Sequence, residues 1–93
     1  MMTKDAAEAV ALEALAWLVG NDDLLPVFLG STGASLDSLS QGARDPLFLG
    51  AVLDFLMLDD AWLLDFADHG GHKPELLMQA RASLPGGELP HWT

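Results

Sequence analysis

Apolar residues recur along the chain at helical spacing, and Gly, Pro and Asx residues cut the pattern into six segments. No segment sustains a period-two alternation, and no Asn-Gly or Asp-Gly hairpin signal occurs. The spacing predicts a first helix over Lys4–Val19, ended by Gly20, with acids in its first turns. Its second half is apolar on nearly every side: Val10 and Trp17 on one face, Leu15 and Leu18 on another, Leu12 and Val19 on a third. Such a helix is expected to be surrounded by others. Asn21, Asp22 and Asp23 then offer an N-cap and a charge that suits the helix dipole. They introduce a short helix from about Asp23 to Leu29, which tolerates Pro26 in its first turn. Gly30-Ser-Thr-Gly33 reads as a turn, and Ser35 as the cap of a weak helix from Leu36 to about Ala43.

Asp45-Pro46 is the strongest start signal in the chain, an N-cap followed by proline at the first helical position. The helix it opens runs to Leu58, and only Gly50 and Asp54, four residues apart, interrupt its apolar surface. They are expected to mark its one exposed line. The apolar stretch Leu47–Leu58 is too short for a membrane span, which takes about 20 residues, so it is the expected central buried helix. Asp59 caps a helix from Asp60 to about Asp68, in which Trp62, Leu63, Phe66 and Ala67 form a stripe opposite Asp60, Asp65 and Asp68. Gly70-Gly71 end it. Lys73-Pro74-Glu75 open the last helix, with Leu76, Leu77, Ala80 and Leu84 as its buried stripe and Pro85-Gly-Gly87 as its stop. The fold class expected is all-α, a compact single-domain bundle of about five or six helices, two long and several short. Its core spans roughly residues 4–84 and a short tail covers 85–93. Trp17, Phe48, Val52, Phe55, Trp62 and Phe66 are expected close together in one core.

Composition narrows the function. The 93 residues are 51% hydrophobic, with three Trp and four Phe, which is the make-up of a folded domain. Cysteine is absent, so disulfides, thiolate zinc sites and thiol chemistry are excluded, and a reducing cytosol fits. Acids near the N-terminus stand where a signal peptide would have its apolar run, so a cytoplasmic location is expected. Fourteen acids face four bases, for a formal charge of −10. A nucleic-acid binder needs Lys and Arg against several phosphates. Lys4, Arg44, Lys73 and Arg81 are scattered and form no basic stripe, so no nucleic-acid partner is expected. The same excess repels an anionic membrane and favours a protein partner with a basic surface.

Asp65 and His69 are four apart, and with Asp68 and His72 they are the candidate metal ligands. No HExxH-type motif supports them, and a solvated acidic face with His69 favourably at a helix C-terminus is the simpler reading. No metal and no cofactor are expected. Asp54, if buried, would be a candidate acid or base, but its exposed line is the expected setting. Gly30–Gly33 lacks the preceding strand and following Lys-Ser/Thr of a phosphate loop. No GxSxG elbow surrounds any serine, so no catalytic residue is assigned. The span Ser35–Leu58 has helix-turn-helix length, but its second helix is too apolar to read bases. Met78, Leu89 and Trp92 are the exposed apolar candidates, with Trp92 expected to cover a core edge more often than to form an interface.

Read together, Leu25-Pro-Val-Phe-Leu29, Thr32-Gly33, Asp45-Pro-Leu-Phe-Leu49, Val52-Leu-Asp-Phe-Leu56 and Leu63-Leu-Asp-Phe66 resemble a domain-of-unknown-function family of short alphaproteobacterial proteins. The resemblance extends over roughly Ala9 to Leu84. It implies a small helical cytoplasmic domain and brings no activity, ligand or catalytic residue with it. The residues themselves favour a non-catalytic interaction module with an acidic surface, bound through Asp60, Asp65 and Asp68. Two other classes stay open: a metal-binding protein or enzyme using the Asp/His cluster 65–72, and an acidic mimic that blocks a nucleic-acid-binding partner.

Overall fold

Six α-helices and no strand make up residues 2–84, the part of the chain that the computed structural model describes. They are α1 (Lys4–Val19), α2 (Leu25–Thr32), α3 (Leu36–Gly42), α4 (Pro46–Met57), α5 (Asp60–Gly70) and α6 (Pro74–Ala82). Local chemistry starts most of them. The Thr3 hydroxyl accepts from the Ala6 N–H at 3.1 Å, and Ser35 with Ser38 forms a capping box. Asp45 and Asp59 each accept a backbone N–H two residues on, at 3.0 and 2.8 Å, and proline stands in the first turn of α2, α4 and α6.

α4 packs against each of the other five helices. It buries Leu49, Gly50, Val52, Leu53, Phe55 and Leu56. Its exposed line runs Leu47, Ala51, Asp54, Leu58, at three- and four-residue steps, with Leu47 64% and Leu58 72% exposed. The expected line of Gly50 and Asp54 is therefore half right: Asp54 faces solvent, whereas Gly50 lies at the margin of the line and is covered. The Arg81 guanidinium of α6 reaches Asp54 with two N–H donors, Nε to Oδ1 at 2.5 Å and Nη2 to Oδ2 at 2.9 Å.

α1 buries Ala7, Val10, Ala11, Ala14, Leu15 and Leu18, and the small side chains among them let the helix lie close against α4 and α6. It is not surrounded on all sides. Leu12 and Val19, the third apolar face, look outward because no helix packs beyond them.

The six expected core residues all belong to the core or pack on it, but they do not form one aromatic cluster. Trp17 meets Phe66 at 5.7 Å between ring centroids. Separately, Phe55 stacks on Trp62 at 4.8 Å, and Phe28 joins Phe55 and Phe48 edge-on at 5.2 and 5.9 Å. Phe28 is fully buried and occupies the centre of that second group. α2 lies later in the chain than the expected Asp23–Leu29: it begins at Leu25, with no side-chain cap, and runs on to Thr32. Gly30 to Thr32 continue the helix rather than turning, the Thr32 hydroxyl donates to the Phe28 carbonyl at 2.8 Å, and Gly33 ends the run at a φ of 73°. At the next junction a Cβ on Gly42 would lie 2.5 Å from Phe48 Cδ2, so only glycine lets α3 end against that ring.

Among the described residues no charged side chain is buried, and no helix is long and apolar enough to cross a membrane. The expectations for Pro85–Gly87, Leu89 and Trp92 lie outside the described residues.

Phe28→Ala and Phe55→Ala should each lower unfolding stability by about 3–5 kcal/mol in urea titrations. Leu47→Ala, in an equally apolar stretch, should stay within about 0.5 kcal/mol. Gly42→Ala should cost about 1–3 kcal/mol through the displaced Phe48 ring.

Candidate functional site

α5 is divided cleanly between core and solvent. Leu63, Phe66 and Ala67 are buried and Trp62 is half-buried, while Asp60, Asp65 and Asp68 are exposed on the other side. Leu64 stands exposed between Asp60 and Asp68, one turn from each. Asp60 lies in the first turn, where the dipole favours it; Asp68 lies near the C-terminal end, where the dipole opposes it. The acidic face predicted from the sequence is thus present, with an apolar residue in its middle that the pattern did not single out.

The end of α5 sets the position of His72. Gly71 takes a φ of 70° and the chain closes a Schellman motif: the His72 N–H donates to the Ala67 carbonyl at 2.8 Å and the Gly71 N–H to the Asp68 carbonyl at 3.3 Å. This turns His72 back onto the bundle. Its ring lies 5.9 Å from that of Phe66, and its Nε2 stands 2.6 Å from Glu13 Oε2 on α1. A Cβ on Gly70 would come within 2.7 Å of the His72 ring and 3.1 Å of that Glu13 oxygen, so glycine at 70 leaves the room for the bridge. Of the four candidate metal ligands, Asp65, Asp68 and His69 are exposed on α5, and His72 is engaged with α1. Among the described residues no three His, Asp or Glu side chains converge as a metal would require.

The C-terminal turns of α1 and α5 enclose an open hollow of about 660 Å³, lined by Trp17, Gly20, Asn21, Asp22, Asp23 and His69. A second hollow of about 420 Å³ adjoins it, sharing Trp17 and His69 and reaching Glu13 and Gly70. The loop is held by Asn21, whose Oδ1 accepts from the N–H groups of Asp23 and Leu24 at 3.1 and 3.0 Å. Asp22 and Asp23 are left exposed, just ahead of α2. α1 carries no basic residue in its last turn. The sequence showed each of these residues in a local role, as cap, dipole partner or core flank. Their meeting depends on how α1 packs beside α5, for which the sequence carries no local signal.

The serines that the structure describes in polar contacts are structural. Ser35 and Ser38 cap α3, and the Ser83 hydroxyl donates to the Gln79 carbonyl at 2.9 Å.

Calorimetric titration with zinc or manganese should be flat and should leave the melting temperature unchanged, because a ligand of the native state stabilises it by mass action. Tight binding abolished by His69→Ala would reverse that expectation. A double-mutant cycle on Glu13→Gln and His72→Gln should give a coupling of about 0.2–1 kcal/mol, since Glu13 is more than half exposed and screened. In a Gly70→Ala background the coupling should vanish.

No curated protein and no solved structure matches the chain. One family model does, over residues 4–87, a stretch that contains all five segments on which the sequence resemblance rested. With nearly the whole chain matched, the protein belongs to the family described as "Protein of unknown function (DUF3572)".

Proposed function

We propose that the chain is a cytoplasmic, non-catalytic module that binds a protein with a basic surface through the exposed face of α5. The observation that supports this most is the set Asp60, Asp65 and Asp68, which stand outward on a helix whose opposite face is core. Four of the other acids have structural work: Asp45 and Asp59 cap helices, Asp54 pairs with Arg81, and Glu13 pairs with His72. Among the described residues Asp65 and Asp68 have no such role, and Asp68 sits against the dipole of its own helix. A cationic partner would relieve that repulsion. The surrounding field favours the same partner, since the chain carries a formal charge of −10 and its described charges all lie at the surface.

A partner recovered from native lysate should associate more slowly as salt is added, because charges on the surface are screened over about 8 Å at 0.15 M. Replacing Asp60, Asp65 and Asp68 with Asn should lower the on-rate by about tenfold at low salt, at the lower end of what electrostatic steering supplies. Stopped-flow or surface-plasmon measurements read both effects. A partner whose binding ignores salt and the triple change would assign recognition to an apolar surface, such as that around Met78, which is exposed on α6.

A further inference from the structure

The hollow between the C-terminal turns of α1 and α5 has a chemistry of its own. We propose that it seats one arginine side chain of the basic partner against the indole of Trp17. This rests on the reading of α5 as the partner-binding face and specifies where the contact is anchored.

Two adjoining hollows of about 660 and 420 Å³ share Trp17 as lining, each within the usual span of small-ligand sites, about 300–1,000 Å³. Trp17 is half-buried: its ring meets Phe66 on the core side while the same residue lines the hollows. Tryptophan is the side chain whose face attracts a cation most strongly. Asp22 and Asp23, both exposed, line the larger hollow on a loop that Asn21 pins through two backbone N–H groups. A guanidinium can stack on the indole and present N–H pairs to carboxylates at once, which a lysine ammonium cannot do with the same geometry.

Charge complementarity favours a cationic occupant over an anionic or apolar one. No Lys or Arg lines either hollow. The last turn of α1, which contributes Trp17, holds no basic residue to offset the negative end of its dipole. An anion would meet the carboxylates of Asp22 and Asp23. A neutral apolar group would strip water from Asp22 and Asp23 without replacing it. His69 on the α5 wall adds a ring nitrogen and does not reverse the balance of the lining.

The position matters as much as the chemistry. His69, which lines both hollows, lies one turn beyond Asp65 and next to Asp68 on the exposed side of α5, so the hollows adjoin the acidic face. A segment that places one arginine over Trp17 brings neighbouring basic residues over Asp65 and Asp68. The partner's recognised element is therefore a short run of basic residues with arginine at its anchor point.

The test uses the full chain, titrated at low salt with a blocked peptide of four arginines and with its neutral counterpart of four citrullines. The indole N–H resonances of Trp17 and Trp62 are followed by heteronuclear NMR. The arginine peptide should shift the Trp17 indole saturably and leave Trp62, which stacks on Phe55, unmoved. The citrulline peptide should shift neither. Asp22→Asn with Asp23→Asn, both exposed and outside the core, should weaken the arginine peptide by about fivefold. Trp17→Phe, which keeps a ring beside Phe66, should weaken it by about two- to threefold with the helical spectrum unchanged. Binding that shifts only α5 amides and ignores the Asp22/Asp23 change would overturn the anchor while leaving the acidic-face reading in place. Equal binding of the citrulline peptide would overturn the role of charge. No binding of the arginine peptide at low salt would overturn both readings.

Discussion

The apolar girth of α4 governs the structure. A helix with one exposed line, and large side chains on the rest of its circumference, is stable in water only when neighbours cover it. Five helices do so. Two of them, α2 with eight residues and α3 with seven, are far below the length at which an isolated helix holds together in water. They persist because Phe28 and Leu39 are seated in the core beside α4. The capping box on α3 and the left-handed Gly33 after α2 fix where these short pieces start or stop, and burial supplies their stability.

With the interior given wholly to apolar groups, the excess of acid is confined to the outside, and its distribution is uneven. Part of it is absorbed by helix starts and by links between helices. Glu13 holds the α5–α6 turn to α1, and Asp54 holds α6 to α4. The remainder near α5 and the α1–α2 loop borders Trp17 and the hollow between the two helix ends. Total charge alone does not reveal which acids hold the bundle together and which stand around the hollow.

What the sequence made legible is what local chemistry decides. The limits of α1, the caps at Ser35, Asp45 and Asp59, the central place of α4 and the two faces of α5 all follow from spacing and from side chains within a turn of each other. Gly30-Ser-Thr-Gly33 misled because two glycines suggest a turn, whereas the Thr32 hydroxyl and the burial of Phe28 carry the helix one turn further. On α4, Gly50 drew the exposed line toward itself because it is small, but the line is set by where neighbouring helices lie, and they leave Leu47 and Leu58 outside. The Glu13–His72 bridge spans 59 positions and depends on the room that Gly70 leaves, so no motif announces it. The Trp17 hollow is hidden in part for the same reason: most of its lining is local, from Ala16 to Asp23, but the wall that closes it, His69, comes from α5.

The packing of α1 carries a consequence for how the chain is made. Its buried face rests on α4 and α6, and α6 is the last of the described helices in chain order. At roughly 5–20 residues per second, about 3–11 s pass between completion of α1 and the first residue of α6. During that interval a helix of 16 residues, marginal by itself, has Leu15, Leu18 and its buried alanines without their final cover. The bundle therefore closes over α1 only once α6, dozens of residues later in the chain, has joined it.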